Sequence, residues 1–486
     1  MKHSFIIATM VLLLLTSGCT DQKQQQDNID PKMNVLFILI DDLGWKDTGF
    51  MGSKYYETPH LDALSKEGMV FVNAYAGAAN CAPSRACLLS GLNTPRHQVY
   101  TVSPSDRGNP RTRKIIPTPN IKFLHDSVYT LHEMFKSAGY VTGSFGKWHI
   151  GQEPTTQGVD VNIAGGPNGS PGKNGYFSPY NVPNITDGPE GEYLPDRLTD
   201  EVISFLEANK DTSFFAYVPY YTVHTPLLAR EDWLKKYENK PGIDGQAHPV
   251  YGAMVSAMDE NIGRLLNKLK GLGLDENTIV IFTSDNGGIR FISHQDPLRA
   301  GKGSYYEGGV RVPLIIKWPG MTTPGTRSDE RTLNMDFFPT LQAMAQPEIK
   351  ATFLDGIDIT PVFSGQQLED RDLFWHFPIY LQAYKRGQDG SRDSLFRTRP
   401  GSIIISGDWK MHEYFEDGGL ELYDLKNDPG ESDNLAMTQP EKTRELHDRL
   451  KKWRKHTNAP VPGEPNPLYD PDYTESAFPF FQYRHK

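Results

Sequence analysis

Two pairs of polar residues in this 486-residue chain carry the oxygen ligands that a hard metal ion prefers. Asp41 and Asp42 directly follow a short apolar run, and Asp285 and Asn286 follow another. Carboxylate and amide oxygens together suit Ca²⁺ or Mg²⁺. Each pair alone also fits a structural role, the first as a helix N-cap and the second as a turn before glycine. In combination, the two pairs predict a cation site.

Four basic side chains accompany these pairs, and three of them follow other apolar runs. Lys147 and His149 alternate with Trp148, so an extended segment would present both to one side. His224 precedes Thr-Pro, and Lys302 lies between glycines. A histidine with a pKa near neutrality can exchange protons, and a lysine can bind an anion. The alternative for each is an ordinary loop residue, or a histidine packed beside a turn proline.

Cys81 opens the segment Cys-Ala-Pro-Ser-Arg that ends at Arg85, and Leu-Ser-Gly follows at 89–91. A lone cysteine is usually a small buried hydrophobe. The chain has only three cysteines, the others being Cys19 and Cys87, so a Cys81–Cys87 disulfide is an alternative for an exported protein. The Pro-Ser-Arg run is typical of a turn entering a helix, which disfavours that disulfide.

The elements that must position these residues alternate along the chain. Apolar runs predict buried strands, and the predicted strands are 33–40, 140–145, 213–220, 278–283 and 312–318. Helical patterns lie between them, at 83–92, 129–138, 198–209 and 251–270. Such alternation predicts an α/β fold with a mostly parallel central sheet covered by helices on both faces. Ligands of such folds bind at the carboxyl ends of the strands, where most of the residues above are expected.

The last part of the chain has a different pattern. Segments 402–406 and 409–414 predict antiparallel strands joined by the turn Gly407-Asp408, and an amphipathic helix is expected over 440–455. We therefore expect a catalytic domain at 33–360 and a smaller C-terminal α+β subdomain with an antiparallel sheet at 361–486. The segment 152–192 is rich in glycine, proline and asparagine, which predicts a long surface loop near the site.

Composition limits the class of protein. Apolar residues make up 38% and aromatic residues 11% of the chain, enough for a substantial core. A net charge of −10 argues against general nucleic-acid binding, which needs a basic face. It does not exclude an anionic substrate, because the local potential of a cleft can oppose the overall sign.

The N-terminus predicts export. Lys2 and His3 precede an apolar stretch over 5–15, and small residues lead to Cys19, so residues 1–18 are predicted to be a signal peptide. Gly18-Cys19 resembles a bacterial lipoprotein acylation site, and the polar segment 19–32 is then a flexible tether. Ordinary secretion is the alternative. We expect a protein of the periplasm, or a lipid-anchored protein of the outer membrane or cell surface, in a Gram-negative bacterium.

The order of these motifs resembles the type I sulfatases of the alkaline phosphatase superfamily. The resemblance rests on Cys-x-Pro-Ser-Arg at 81–85, Gly-Lys-Trp-His-x-Gly at 146–151, His-x-Pro at 224–226, Asp-Asn-Gly at 285–287 and Glu-Gly-Gly-Val-Arg at 307–311. It extends to Leu-Tyr-Asp-Leu at 422–425 and spans 34–435 in all. Ser90 stands where the family usually has threonine.

The resemblance implies a maturation step and a metal. A maturation enzyme would oxidise Cys81 to formylglycine (3-oxoalanine), whose hydrate is the nucleophile. One hydroxyl attacks sulfur, and the other loses its proton to expel sulfate by reforming the carbonyl group. One Ca²⁺ would be bound by the Cys81-derived oxygen and by four further residues, namely Asp41, Asp42, Asp285 and Asn286.

The resemblance also implies roles for the basic residues. Arg85 would hold the hydrate or a sulfate oxygen, and Lys147 would contact the sulfate. His149 would take the proton when sulfate is released. His224 would act as the general acid toward the leaving alcohol, and Lys302 would bridge the sulfate and the leaving oxygen.

The expected substrate is a sulfated algal polysaccharide such as ulvan or carrageenan, or its oligosaccharides, with fucan and glycosaminoglycans as alternatives. Candidate sugar contacts beside the motifs are His97, Arg290 and His294. Two other functions stay open at this stage. One is a formylglycine-dependent phosphodiesterase or phosphonate monoester hydrolase, and the other is a non-catalytic glycan-binding homologue.

Overall fold

A computed structural model of the protein describes Met1 and residues 32–102 and 104–474. The predicted signal peptide at 1–18, Cys19 and nearly all of the tether at 19–32 lie outside the described residues. Within the described part of the chain, no helix has the length and apolar character needed to cross a membrane.

Within the described residues, the central sheet contains nine strands, and the parallel strand β1 lies in its middle. The strands are β1 (Asn34–Ile40), β2 (Met69–Tyr75), β3 (Val141–Phe145), β4 (Val161–Ile163), β5 (Phe214–Pro219), β6 (Thr278–Ser284), β7 (Arg311–Lys317), β8 (Thr326–Ser328) and β9 (Thr332–Leu333). Their order is β4-β3-β5-β1-β6-β7-β2-β8, with β9 also paired to β2. Only β7 runs antiparallel to its neighbours β6 and β2. The prediction of a mostly parallel sheet is confirmed.

Helices cover both faces of this sheet. They are α1 (Pro59–Glu67), α2 (Cys81–Ser90), α3 (Thr94–His97), α4 (Leu131–Ser137), α5 (Leu194–Ala208), α6 (Glu231–Tyr237), α7 (Pro249–Gly271), α8 (Arg290–Ser293), α9 (Glu307–Val310), α10 (Phe337–Ala345) and α11 (Thr360–Phe363). Side chains of β1 alternate between two cores, as a strand requires. Ile38 packs in the core that contains α5 and α7, whereas Phe37 packs in the core that contains α2, α4 and α10.

The C-terminal part forms a separate antiparallel sheet. Its strands are β10 (Asp372–Phe377), β13 (Gly401–Ser406), β14 (Trp409–Tyr414) and β15 (Leu420–Asp424), and a short hairpin of β11 (Leu381–Gln382) and β12 (Phe396–Thr398) lies apart from it. The predicted hairpin is confirmed, since Ser406 pairs with Trp409 across the turn. The helix α12 (Pro440–Thr457) packs Leu446 and Leu450 against Ile404 of this sheet.

The two parts of the chain share a core. Tyr75 of the large sheet packs with Trp375 and Ile403 of the small one. Below them, the buried Lys410 ammonium lies 2.9 Å from Glu307 and 3.0 Å from Glu431. The boundary at 360/361 stays a prediction, because the packing across it is continuous.

Two local predictions need correction. Helix α2 begins at Cys81 rather than at residue 83 and ends at Ser90, because proline is tolerated in a first helical turn. Strand β2 was absent from the prediction, since its apolar pattern is broken by a bulge between Phe71 and Ala74. Cys81 and Cys87 are both free thiols, so the alternative of a disulfide is excluded.

Candidate active site

The site lies at the carboxyl ends of neighbouring parallel strands, as such folds require. Asp41 and Asp42 follow β1, and Asp285 follows β6, whose last residue pairs with the last residue of β1. On the other side of β1, strand β5 leads to His224, and β3 beyond it leads to Lys147. Cys81 reaches the same edge as the first residue of α2.

The acidic residues form one buried cluster. The backbone N–H of Asp42 donates to Asp285 Oδ1 at 3.2 Å. The Asn286 amide donates to Asp42 Oδ1 at 2.9 Å. The Cys81 thiol sulfur lies 4.0 Å from the same oxygen. These contacts bring four of the proposed metal-site residues into one region, and Asp41 lies within 4.8 Å of Asp42 and Cys81.

Each of the three carboxylates has a buried cationic partner. Lys147 Nζ lies 2.6 Å from Asp41 Oδ2, and Lys302 Nζ lies 2.7 Å from the Asp42 carboxylate. Arg85 Nε lies 2.9 Å from Asp285 Oδ2. Moving ions out of water costs several kcal/mol for each ion, so a cluster of this kind is weak evidence for stability. Strongly coupled buried charges at a cleft instead mark a functional site.

Burial and charge shift the pKa values of this cluster. Burial raises the pKa of Asp41 despite the nearby Lys147, and it raises the pKa of Asp285 to about 6. Burial alone would also raise the pKa of the Cys81 thiol, but the charges of Lys147 and Lys302 lower it to about 6. A thiolate is therefore accessible near neutral pH, which makes Cys81 chemically distinct from Cys87, whose pKa burial raises.

The donor set fits a hard cation. Asp41 Oδ1 and Asn286 Oδ1 are buried, and neither has a hydrogen-bond partner among the described residues. Ligand atoms of Asp41, Asp42, Cys81 and His224 all lie within 4.8 Å of one another. Two orphaned oxygens beside further carboxylate oxygens are the coordination that Ca²⁺ or Mg²⁺ uses. His224 is better suited to proton transfer than to this oxygen-rich set.

The two histidines differ in environment. Burial and the charge of Lys147 hold the pKa of His149 well below its usual value. Burial also opposes charging of His224, but the charges of Asp41 and Asp42 outweigh it and raise that pKa. His224 Nδ1 lies 2.6 Å from the carbonyl oxygen of Thr225, and its Nε2 lies 3.8 Å from Asp42 Oδ2. One imidazole is thus kept neutral and the other favours its charged form.

The route by which Lys147 and His149 reach the site differs from the prediction. An extended segment was expected to present both side chains to one side. Instead, the chain turns here, with Gly146 at φ 129° and His149 at φ 65°. The turn leaves Lys147 completely buried on Asp41, whereas His149 lines the cleft beneath Gly169 of the 152–192 loop. The prediction that segment 152–192 lies near the site is confirmed. The segment is not a loop throughout, because it contains strand β4 of the central sheet.

An open cleft of about 710 Å³ leads to Cys81. Its lining includes His149, His224 and Lys302. It also includes residues that sequence reasoning missed, and these are Asn80, Val102, Pro104, Asp106, Arg107, Gly108, Gly169, Ser170, Thr225, Leu381, Gln382, Ala383, Tyr384 and Arg397. The loop around Arg107 and the β11–β12 hairpin therefore complete the wall of the cleft.

Other candidate residues lie away from this lining. Arg85 is completely buried and binds Asp285, so the structure places it behind the reacting position rather than in the cleft. Arg290 and His294 both pair with Asp296, at 2.7 and 3.0 Å. His97 is buried, with Nε2 3.4 Å from the Cys87 sulfur, so it has no surface to offer a sugar.

Comparison with known proteins agrees with this geometry. The sulfatase family model matches residues 33–346, and the model for the C-terminal region of N-sulphoglucosamine sulphohydrolase matches residues 301–456. A sulfatase of Formosa agariphila is 33% identical over 92% of this chain and 93% of its own length. Human N-acetylgalactosamine-6-sulfatase is 30% identical over 89% of this chain and 87% of its own length.

Solved structures give the same result. The crystal structure of Ps i-CgsB in complex with k-i-k-neocarrahexaose superposes with a TM-score of 0.70 and 27% identity, over 87% of this chain and 92% of that one. The fold and site define a hydrolase of the alkaline-phosphatase-like class. The chain belongs to the sulfatase family, and it is a sulfuric ester hydrolase.

Proposed function

We propose that the chain removes sulfate from a sulfated polysaccharide or its oligosaccharides, using formylglycine made from Cys81 and one bound Ca²⁺. The observation that carries this proposal is the position of Cys81 at the buried end of the cleft, within 4.0 Å of the Asp42 carboxylate. A cleft of about 710 Å³ has room for a sugar unit beside the sulfate. The named substrates of relatives support a saccharide, and an algal glycan such as carrageenan or ulvan is the proposed source.

The hydrate of formylglycine would supply one hydroxyl to attack sulfur and a second whose deprotonation releases sulfate. Lys147 and Lys302 approach Cys81 closely enough to lower the pKa of its thiol. The same two ammonium groups are therefore suited to holding sulfate oxygens during the attack. Arg85 fixes the Asp285 carboxylate, which positions this end of the cluster.

Asp41, Asp42, Asp285 and Asn286 would hold Ca²⁺ together with an oxygen derived from Cys81. When bound, the ion neutralises sulfate charge and lowers the pKa of a nearby hydroxyl. The orphaned Asp41 Oδ1 and Asn286 Oδ1 support this assignment without any rearrangement of their hydrogen bonds.

The histidines divide the proton transfers. His224 lines the cleft, and its Nδ1 faces the Thr225 carbonyl, which leaves Nε2 to donate a proton to the leaving alcohol. His149 also lines the cleft, and its buried Nδ1 has no hydrogen-bond partner in the described chain. A neutral imidazole in that position can accept the proton released when the carbonyl group reforms.

The test compares two cysteine variants produced with a formylglycine-generating enzyme. Cys81→Ala should abolish hydrolysis of 4-nitrophenyl sulfate and of sulfated galactan oligosaccharides. Cys87→Ala should retain activity, because Cys87 contacts His97 rather than the cleft. Mass spectrometry of the Cys81 peptide should find the aldehyde in the active protein. Equal activity in Cys81→Ala would refute the nucleophile assignment.

We also propose export and lipid anchoring at Cys19, which rest on the sequence pattern at 1–19. In the native host, the protein should label with a radioactive fatty acid and fractionate with the outer membrane. Cys19→Ala should lose the label, and a soluble, unlabelled native protein would contradict the anchor.

A further inference from the structure

The cleft has a second cationic region, separate from the residues that pair with the carboxylates of the metal site. Its members are Arg107, from the loop before residue 110, and Arg397 of β12, and both line the cleft. Arg107 and Arg397 are far apart in the sequence, so the tertiary structure brings them to the same cleft. No role described above uses either of them.

Arg397 has three contacts with neutral groups in addition to the charge interaction with Asp389. Its Nε donates to the carbonyl oxygen of Gln382 at 2.9 Å, and its Nη1 donates to the carbonyl oxygen of Lys302 at 3.3 Å. The guanidinium also stacks on the ring of Tyr384, 3.6 Å from its centroid. Carbonyl oxygens and an aromatic face orient an arginine without neutralising its full positive charge. Arg397 is thereby fixed beside the backbone of a residue that we assign to sulfate binding.

Arg107 adds a second guanidinium to the same region. Burial lowers its pKa, and the positive charge of Arg397 lowers it further, so the two cations act on each other within the cleft. Two acids lie near this region. Asp106 pairs with Arg113 at 3.7 Å. Asp389 accepts the backbone N–H groups of Tyr384 and Lys385 at 3.0 and 3.2 Å, and the charge of Arg397 opposes the burial that raises its pKa.

Two like charges held together in a partly desolvated cleft favour an anion between them. Guanidinium groups bind sulfate and carboxylate through paired N–H donors, which gives both affinity and geometric selectivity. We infer that Arg107 and Arg397 bind a second anionic group of the saccharide, a sulfate or a carboxylate, while Cys81 engages the sulfate that is removed. This inference rests on the proposed function, since it assigns the substrate class of the same cleft.

The test measures binding to the Cys81→Ala protein, so that it does not depend on turnover. Three galactose-based disaccharides serve as probes. The first carries one sulfate and no other charge, the second carries two sulfates, and the third carries one sulfate and one uronate carboxylate. Titration calorimetry should give the second or the third an affinity at least about tenfold above that of the first. Comparison of those two identifies which anion is preferred.

Arg107→Gln and Arg397→Gln, each in the Cys81→Ala background, should reduce that preference about tenfold and leave binding of the singly charged probe much less affected. Arg107→Lys keeps the positive charge but loses the paired N–H donors, so its preference for the doubly charged probe should lie between those of the Cys81→Ala protein and the Arg107→Gln variant. Arg392→Gln is the matched control, because Arg392 lies near β12 but pairs with Asp417 outside the cleft. Thermal unfolding of every variant separates loss of binding from loss of folding.

Equal affinity of the Cys81→Ala protein for all three probes would overturn the inference. So would an equal loss of all three affinities in the glutamine variants, since that would mean general damage to the cleft. The proposed function has a different failure, which is absence of sulfate release from every sulfated probe by the matured Cys81 enzyme. Failure of the inference is measured as binding by the Cys81→Ala protein, and failure of the proposed function is measured as sulfate release by the matured enzyme, so the two can be distinguished.

Discussion

The two carboxylate oxygens of Asp41 differ in their contacts. Oδ2 accepts a 2.6 Å hydrogen bond from the buried Lys147, whereas Oδ1 has no hydrogen-bond partner among the described residues. A buried carboxylate with only half of its oxygens bonded is costly. Oδ1 is therefore available to a further ligand, and a cation there would add to Lys147 in opposing the burial that raises the pKa of Asp41.

The first prediction concerns that ion pair. Lys147→Ala leaves Asp41 buried and unpaired, so the metal-free protein should lose about 3–5 kcal/mol of unfolding free energy. The double variant Lys147→Met/Asp41→Asn removes both charges and should recover most of that loss while remaining inactive. Urea denaturation and hydrolysis of 4-nitrophenyl sulfate measure the two effects.

The control is an exposed pair on helix α6. Lys235 and Glu231 lie 2.7 Å apart but are solvated, so Lys235→Ala should leave the denaturation midpoint unchanged. If Lys147→Ala were as harmless as Lys235→Ala, the buried pair would not be the stabilising contact that the geometry indicates.

The second prediction concerns the metal. Ca²⁺ added to chelator-treated protein should raise the unfolding temperature, since a ligand at a hundred times its Kd stabilises the folded state by about 2.7 kcal/mol. Asn286→Ala removes an orphaned amide oxygen and should reduce the shift at the same Ca²⁺ concentration. Asp211→Asn, at an exposed acid, should retain it. The assignment fails if Asn286→Ala gives the full shift.

The third prediction separates sulfatase action from the alternative of phosphodiester hydrolysis. A sulfate monoester has three non-bridging oxygens, which the proposed function assigns to Lys147, Lys302 and the bound cation. A diester has two, with a second organic group in place of the third. The matured enzyme should therefore favour 4-nitrophenyl sulfate over bis(4-nitrophenyl) phosphate by at least about tenfold in kcat/KM. The reverse preference would favour the phosphodiesterase interpretation.

The acidic part of the cluster can be predicted from the sequence because its members directly follow strands. Asp41 and Asp285 end neighbouring strands of one parallel sheet, so strand prediction alone brings them to one edge. Cys81 was recognised from its local motif. The contacts of Arg85 with Asp285 could not be predicted, because a helical residue's direction depends on how α2 packs against the sheet.

The part of the cleft formed by the loop around Arg107 and the β11–β12 hairpin could not be predicted. Arg107 and Arg397 lie in segments without hydrophobic periodicity, and the hairpin that carries Arg397 packs through Phe396 against Tyr380 and against Ile115, which is distant in the sequence. His97, in contrast, was predicted to contact the sugar but is buried away from the cleft. It is close in sequence to the catalytic helix, but the turn after α2 directs it into the core beside Cys87.

The fourth prediction is a pH dependence far from the active site. Asp259 of α7 accepts the backbone N–H groups of His60 and Leu61 at 3.0 and 2.8 Å, which caps helix α1. Burial raises its pKa from 3.8 to about 7. The folded state therefore binds this proton more tightly than the unfolded state does.

The Asp259 contribution to the unfolding free energy should therefore fall as the pH rises. The contribution of Asp259 to stability is complete below about pH 4 and is lost as the pH rises through about 7, with a slope of up to ~1.4 kcal/mol per pH unit. Asp259→Asn stays neutral, so the difference in unfolding free energy between variant and wild type should shift in favour of the variant from pH 4 to 8. Denaturant titrations at several pH values test this, and a pH-independent difference would contradict it.

The fifth prediction concerns the buried ion pairs between the C-terminal sheet and the large domain. Lys410 lies between Glu307 and Glu431, at 2.9 and 3.0 Å, and all three side chains are buried. Lys410→Met leaves the two carboxylates with Arg311, 3.5 Å from Glu307, as the remaining cation, so it should cost about 3–5 kcal/mol of unfolding free energy. Further substitution of Glu431 by glutamine should recover part of this loss. Lys442→Met, at a solvated pair with Glu445, should cost no more than about 0.5 kcal/mol.

Because Lys410 does not line the cleft, the Lys410→Met protein that remains folded should keep its kcat toward 4-nitrophenyl sulfate. Denaturation followed by both activity and tryptophan fluorescence would then give one shifted transition, since Trp375 packs in the core that the two sheets share. Two separate transitions in the wild-type protein would contradict a shared core, because they would mean that the C-terminal sheet unfolds independently of the catalytic domain.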